Sequence, residues 1–185
     1  MKHYLGRMRG NKDQCPPRKP WPKIAWSWLA SFLGIYLVGF LGAQLRFLTG
    51  MDVVFLIGSF GASSVLIYGL PNADLAQPRN FVGGHVVCAI TGTTVYALCP
   101  QAYPILAAAL AVSLAVAAMH ITRTLHPPGG ATALIAVIGS DKVHNLGFAY
   151  ILCPVLAGCL IMLLVALVVN NLSGNPKRHY PVYWY

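Results

Sequence analysis

From about Trp26 to Asn170 the chain is a near-continuous succession of apolar segments joined by short polar connections. That pattern constrains the fold more than any motif does. Inside a bilayer every backbone N–H and C=O needs a partner within the protein, and a helix supplies them segment by segment. Six segments read this way, at about 26–48, 53–70, 81–99, 103–122, 128–140 and 147–170. The fifth, Pro128 to Ser140, has 13 residues and rises only ~20 Å as a helix, against a hydrocarbon core of ~30 Å. The expected fold is an all-α polytopic transmembrane helical bundle in which short or broken helices lie among full spans.

Composition agrees. Hydrophobic residues are 57% of the chain and charged residues 9%, which excludes an ordinary water-soluble globule. Glu is absent, and the four acids, Asp13, Asp52, Asp74 and Asp141, lie outside the strongest apolar runs. Seven of the 13 Lys and Arg fall in the first 23 residues, and Lys177 and Arg178 lie near the other end. Basic residues that abut a hydrophobic span, with no nucleic-acid motif nearby, fit positive-inside topology rather than a nucleic-acid partner. Residues 1–23, basic, Pro-rich and without helical periodicity, read as a disordered cytosolic tail, and 24–185 as the transmembrane domain. Trp21, Trp26 and Trp28 suit the interface belt. The closing NNLSGNPKRHYPVYWY suits a cytosolic headgroup layer.

The six segments read as one unit written twice. LIGSFGASSVL, Leu56 to Leu66, aligns with LHPPGGATALI, Leu125 to Ile135, at a constant offset of 69. Each copy is then a long helix, a short segment of small residues, and another long helix. Three spans per copy place the copies in opposite orientation, the inverted-repeat plan of many secondary transporters. With the N-terminus inside, the C-terminus, Arg79 and Arg123 fall in the cytosol, and Arg46, Lys142 and His144 outside. Cations at both mouths, with few acids nearby, favour anions from either side.

The strongest chemical signal is TRTLHPPGGATAL, Thr122 to Leu134. Pro127 and Pro128 open a helix, because the first amides of a helix lack internal partners. Gly129 and Gly130 leave the first turn bare, so unpaired N–H groups there form an anion site, or the stretch is only a stiff loop that starts the next helix. His126 is the leading candidate for contact with substrate, since a His at membrane depth is costly. Arg123 adds a cation at the same mouth. Gly61 and the hydroxyls of Thr132, Ser63 and Ser64 complete the candidate substrate site, and Arg79, Asn80 and His85 mark its entrance. The starts of the two short segments, Ser59–Gly61 and Pro128–Gly130, are expected to converge near the middle of the protein. His85 and His120, within spans, are expected to hydrogen-bond across helices.

TRTLHPPGGATAL, together with FGASSVL (60–66), LAQPRNFVGGH (75–85) and the terminal NNL…YPVYW (170–184), closely resembles the HPP family of integral membrane proteins. The resemblance runs from about Trp26 to Trp184. Some members are described as nitrite transporters of cyanobacterial and plastid membranes, while many bacterial members have no assigned substrate. It implies a transporter or channel for a small inorganic anion, nitrite first, in a cell (inner) membrane.

The other classes are weaker. Five cysteines without a C-x-x-C pair, and no usual Cys/His spacing, point away from zinc and toward small hydrophobes. There is no nucleophile–base–orienter set, no pair of intramembrane carboxylates and no nucleotide loop, so neither an enzyme nor a cofactor is expected. The expected partners are the lipid bilayer and a small anion. Ala107, Ala111 and Ala115 permit tight helix contact within a protomer or in a homo-oligomer. The competing function is a membrane scaffold or ligand sensor without transport.

Overall fold

The structure, a computed structural model, describes residues 15–49, 56–99 and 103–185. Most of the expected tail, and residues 53–55 of the second expected segment, lie outside the described residues. Every regular element among those described is helical.

Helix α1 runs Trp21–Thr49 and so begins within the stretch read as tail. Its faces differ in side-chain size. Ala30, Gly34, Val38 and Gly42, four apart, are buried. Trp28, Phe32, Tyr36 and Phe40 are exposed on another face, where they stack with ring centroids 5.8 to 6.0 Å apart. The small stripe lets a neighbour approach, and the aromatic ladder suits lipid.

The other helices are α2 (Gly58–Gly69), α3 (Pro78–Leu98), α4 (Pro104–Ile121), α5 (Pro127–Ile138) and α6 (Ala157–Leu172). The stretches Trp21–Leu48, Pro78–Leu98, Pro104–Ile121 and Ile151–Leu172 are long and apolar enough to cross a membrane. Helices α2 and α5 have 12 residues each, about 18 Å, and are not. The second segment, read as 18 residues, is therefore as short as the fifth; Ile57 before it is extended (φ −112, ψ 148). The sixth segment is also corrected. It is no single helix from Gly147, because Cys153 is extended (φ −139, ψ 121) and Pro154 has no N–H to offer; regular helix resumes at Ala157.

Helix direction alternates along the chain. Arg178 and Ser27 both reach the carbonyl of Tyr68, so the start of α1, the end of α2 and the tail beyond α6 share one end of the bundle. Asn80, at the start of α3, donates to the carbonyl of Leu125, which brings the α4–α5 connection to that same end. At the opposite end Tyr96 of α3 stacks on His144, with centroids 4.1 Å apart. Helix α5 therefore passes from one end toward the other and does not return to the side where it started.

Packing agrees with the expected repeat in most helix pairs. Helix α1 packs on α2 and α6, while α4 packs on α5 and α3. The symmetry fails at the short helices, where α3 packs intimately on α5 and α6 only lightly on α2. Glycines account for the intimate side. A Cβ on Gly92 would lie 2.5 Å from the carbonyl oxygen of Ala133, and one on Gly84 2.6 Å from that of Thr124. Gly84, Cys88 and Gly92 are spaced by four and meet Gly129 and Ala133, the small-residue contact that brings membrane helices together. Ala107, Ala111 and Ala115 of α4 are buried with Met119 against this pair, so their small stripe is used within the protomer.

Candidate functional site

The polar centre lies where α2, α3 and α5 meet. Ser63, four residues after Ser59, shares its face of α2. Its hydroxyl oxygen is 2.7 Å from His85 Nε2 and 2.9 Å from His126 Nε2. His85, on α3, places Nδ1 2.7 Å from Thr132 Oγ1 of α5, and Thr132 donates to Ser59 Oγ at 2.8 Å. His126, the residue before α5, donates from Nδ1 to the carbonyl of Leu75 at 2.7 Å. Both imidazoles are fully buried, with ring centroids 5.0 Å apart. Phe81 meets both rings edge-on, and Phe60 meets His85.

Counting hydrogens through this line shows what it can hold. His126 spends its Nδ1–H on Leu75, so in the neutral ring Nε2 accepts and Ser63 supplies the hydrogen. Ser63 then accepts from His85 Nε2–H. With His85 also neutral, its Nδ1 must accept from Thr132, which in turn accepts from Ser59. With Thr132 turned onto Ser59, one imidazole of the pair, His85 or His126, has to donate from both nitrogens and carry an extra proton. The same heavy atoms accommodate two proton counts, and rotation of two hydroxyls separates them.

The α5 start differs from the sequence reading. Pro127 and Pro128 bear no N–H, and Gly129 donates to the carbonyl of His126 at 2.8 Å. These first three positions therefore offer no unpaired donor to an anion. Gly129 serves packing instead, since a Cβ there would meet Cys88 Sγ at 2.9 Å and the Gly84 carbonyl oxygen at 3.0 Å. Gly130 is only half-buried. The short helices do converge, but antiparallel and side by side: Ser59 faces Thr132, and Ser63 faces His126. Their starts pass each other instead of meeting head to head.

The remaining predicted residues scatter. Gly61 is exposed with open space around it, and Ser64 turns its hydroxyl back to the Gly61 carbonyl. Arg123 is exposed in a turn with φ +57, the left-handed region, where it reverses the chain after α4. His120 is exposed on α4, outside the cluster. His85 is not at an entrance but at the centre. Arg79 and Asn80 do sit at the terminus-bearing end, where Arg79 covers the Tyr183 ring at 5.1 Å and Asn80 holds the Leu125 carbonyl at 2.9 Å.

Sequence reasoning placed the C-terminal stretch against lipid headgroups, and the structure folds it over the site. Tyr180, fully buried, donates to the Ala76 carbonyl at 2.9 Å, and Val182 N–H donates to Gln77 Oε1 at 2.7 Å. Gln77 Nε2 holds the carbonyls of Pro71 and Ala73. Burial pushes the Tyr180 phenol up, so it stays a neutral donor. This strap fixes the 71–77 connection, and with it the Leu75 carbonyl that orients His126. The contribution of Ser59 was legible in its spacing from Ser63; that of a backbone carbonyl was not. Among the described residues no group of three or more His, Cys, Asp or Glu could hold a metal ion.

Helices that cross a bilayer around a buried histidine–hydroxyl centre define a polytopic α-helical membrane protein. The transmembrane-region model of the HPP family matches residues 16–181, and the chain belongs to that family. Two Dictyostelium discoideum transmembrane proteins are similar to it, each 46% identical, over 184 and 186 residues. These alignments cover 98% and 100% of this chain but 57% and 62% of the relatives, so the chain spans about three fifths of their length. No solved structure matches it.

Proposed function

We propose that this protein carries a small monovalent inorganic anion across the membrane, with nitrite the leading candidate from the family resemblance. One observation carries the reading: a fully buried pair of imidazoles shares a single hydroxyl and has room for one extra proton. The sequence has no carboxylate within its spans to balance that proton. A lone charge in a low-dielectric interior is costly, and a proton paired with an anion is far less so. The site thus favours an anion and a proton moving together. The light packing of α2 on α6 makes α2 the element that shifts to admit them. The basic, terminus-bearing end faces the cytosol, in keeping with positive-inside bias.

The competing scaffold reading has one specific support, the Phe60 and Phe81 rings packed against the imidazoles. Proteoliposome flux separates the two readings. Nitrite uptake driven by an inward proton gradient, carrying protons with it and lost in His126→Gln, is the expected result. A stable His126→Gln protein with unchanged uptake, or uptake indifferent to the gradient, removes the histidine pair from transport. Parallel assays with nitrate, chloride and formate decide the substrate.

A further inference from the structure

A second polar feature lies away from the histidine centre, at the terminus-bearing end. A cavity of about 420 Å³ opens between the start of α1 and the segment after α6, within the ~300–1,000 Å³ typical of small-ligand sites. Three cations line it, Lys19, Lys23 and Arg178, together with Trp26, Pro71 and Ser173, and no carboxylate among the described residues does. Arg178 is only 4% exposed. Two of its guanidinium nitrogens are held, Nη1 by Ser27 Oγ at 3.2 Å and Nη2 by the Tyr68 carbonyl at 2.7 Å. Its Nε is buried without a partner.

A buried guanidinium with an unspent N–H, in a cavity shared with two lysines, is an incomplete arrangement in the protein alone. Three like charges repel, and burial pushes the Arg178 guanidinium down from its ordinary value, with no acid among the described residues of the cavity to oppose it. An oxyanion would satisfy both deficits. The guanidinium fork is fixed in advance by Ser27 and Tyr68, so little freedom is lost on binding. Depth points to the kind of molecule. Trp21 and Trp28 are exposed beside the cavity, at the level where interfacial tryptophans sit. Basic groups at that level meet the anionic headgroups of the membrane.

We propose that this cavity binds a phosphate group, presented by the headgroup of an anionic lipid. The site is independent of the anion carried through the histidine centre. Trp26 in its wall provides a fluorescence readout. The whole protein in neutral detergent is titrated with short-chain phosphatidic acid, with short-chain phosphatidylcholine and with inorganic phosphate. Saturable binding of phosphatidic acid is expected, with much weaker binding of phosphatidylcholine. Lys19→Gln with Lys23→Gln should weaken it about five-fold per lysine, from about 1 kcal/mol for each basic residue at a membrane surface. Arg178→Lys, which keeps the charge and loses the fork, should weaken it as well.

If inorganic phosphate binds equally well and the double lysine variant loses both, the site stands and its ligand is a soluble phosphate. Equal binding of phosphatidylcholine, or unchanged binding in a folded double lysine variant, overturns the proposal. The lysines lie at the rim and not in the core, so their variants remain informative even where Arg178 substitutions unfold the strap.

Discussion

The two short helices are equal in length and both rich in small residues, and yet they are held in different ways. Helix α5 lies backbone to backbone against α3, where Gly84, Gly92 and Gly129 leave no room for a methyl group. Helix α2 is held mainly by side chains. The Phe60 ring fills the space over Gly158 of α6, and Tyr68 fills that over Gly34 of α1, with its hydroxyl on the Met162 carbonyl. One half is locked by main chain that cannot yield, the other by rings that can turn. The histidine centre lies between them, with His85 and His126 on the rigid side and Ser63 and Ser59 on the adaptable one. In the transport cycle proposed above, a displacement of α2 would break or reverse the proton line. A centre built this way is suited to a cycle of states.

Substitutions test this contrast. Ser63→Ala has the largest expected effect: it leaves two buried ring nitrogens without their shared partner, each omission costing ~1–3 kcal/mol. Anion flux should fall to background and thermal stability in detergent should drop. Retained flux would show that the two halves are not joined through this hydroxyl. Gly92→Ala comes next. Its methyl meets the Ala133 backbone, which has no rotamer to adopt, so a loss of ~1–3 kcal/mol is expected, read as a lower melting temperature.

Gly158→Ala should cost less than Gly92→Ala, because the group it meets is the Phe60 ring, a side chain. If the two cost the same in matched melts, the division into rigid and adaptable halves fails. Arg123→Lys should change flux little, since the side chain is exposed and is not among the hydrogen-bond partners of the imidazoles; a strong loss in the uptake assay would restore it to the site. Smallest of all is Gly61→Ala, with open space around the position. It should leave uptake unchanged and raise melting slightly, by a gain of up to ~1 kcal/mol from better helix propensity.

Much of the architecture was legible in the sequence because membrane insertion is governed by local quantities. Segment length, the lack of Glu and the clustering of basic residues each act without knowledge of neighbouring helices. The His-Pro-Pro turn and the small residues of 56–66 likewise announced two special segments. Of the candidate site, Ser63, His126 and Thr132 come together at the centre, and His85, expected at the entrance, joins them there. Gly61, Ser64 and Arg123 do not. Nothing local separates Ser63 from Ser64: one residue along a helix turns a side chain by about 100°, and only the neighbours decide which direction faces the core.

Entry into the bilayer as helices, the likeness of the segments around 56–66 and 125–135, and the lack of any acid within the spans are all readable from the amino-acid order. Those properties follow from composition and order along the chain. The packing of distant segments decided that two histidines 41 positions apart share one serine and that Tyr180 fastens the terminal strap to the 71–77 connection. Each of these depends on hydrogen-bond geometry at about 3 Å between segments distant in sequence. A few tenths of an ångström, set by the glycines between α3 and α5, determine whether such bonds form. No local pattern of residue types encodes a distance of that kind.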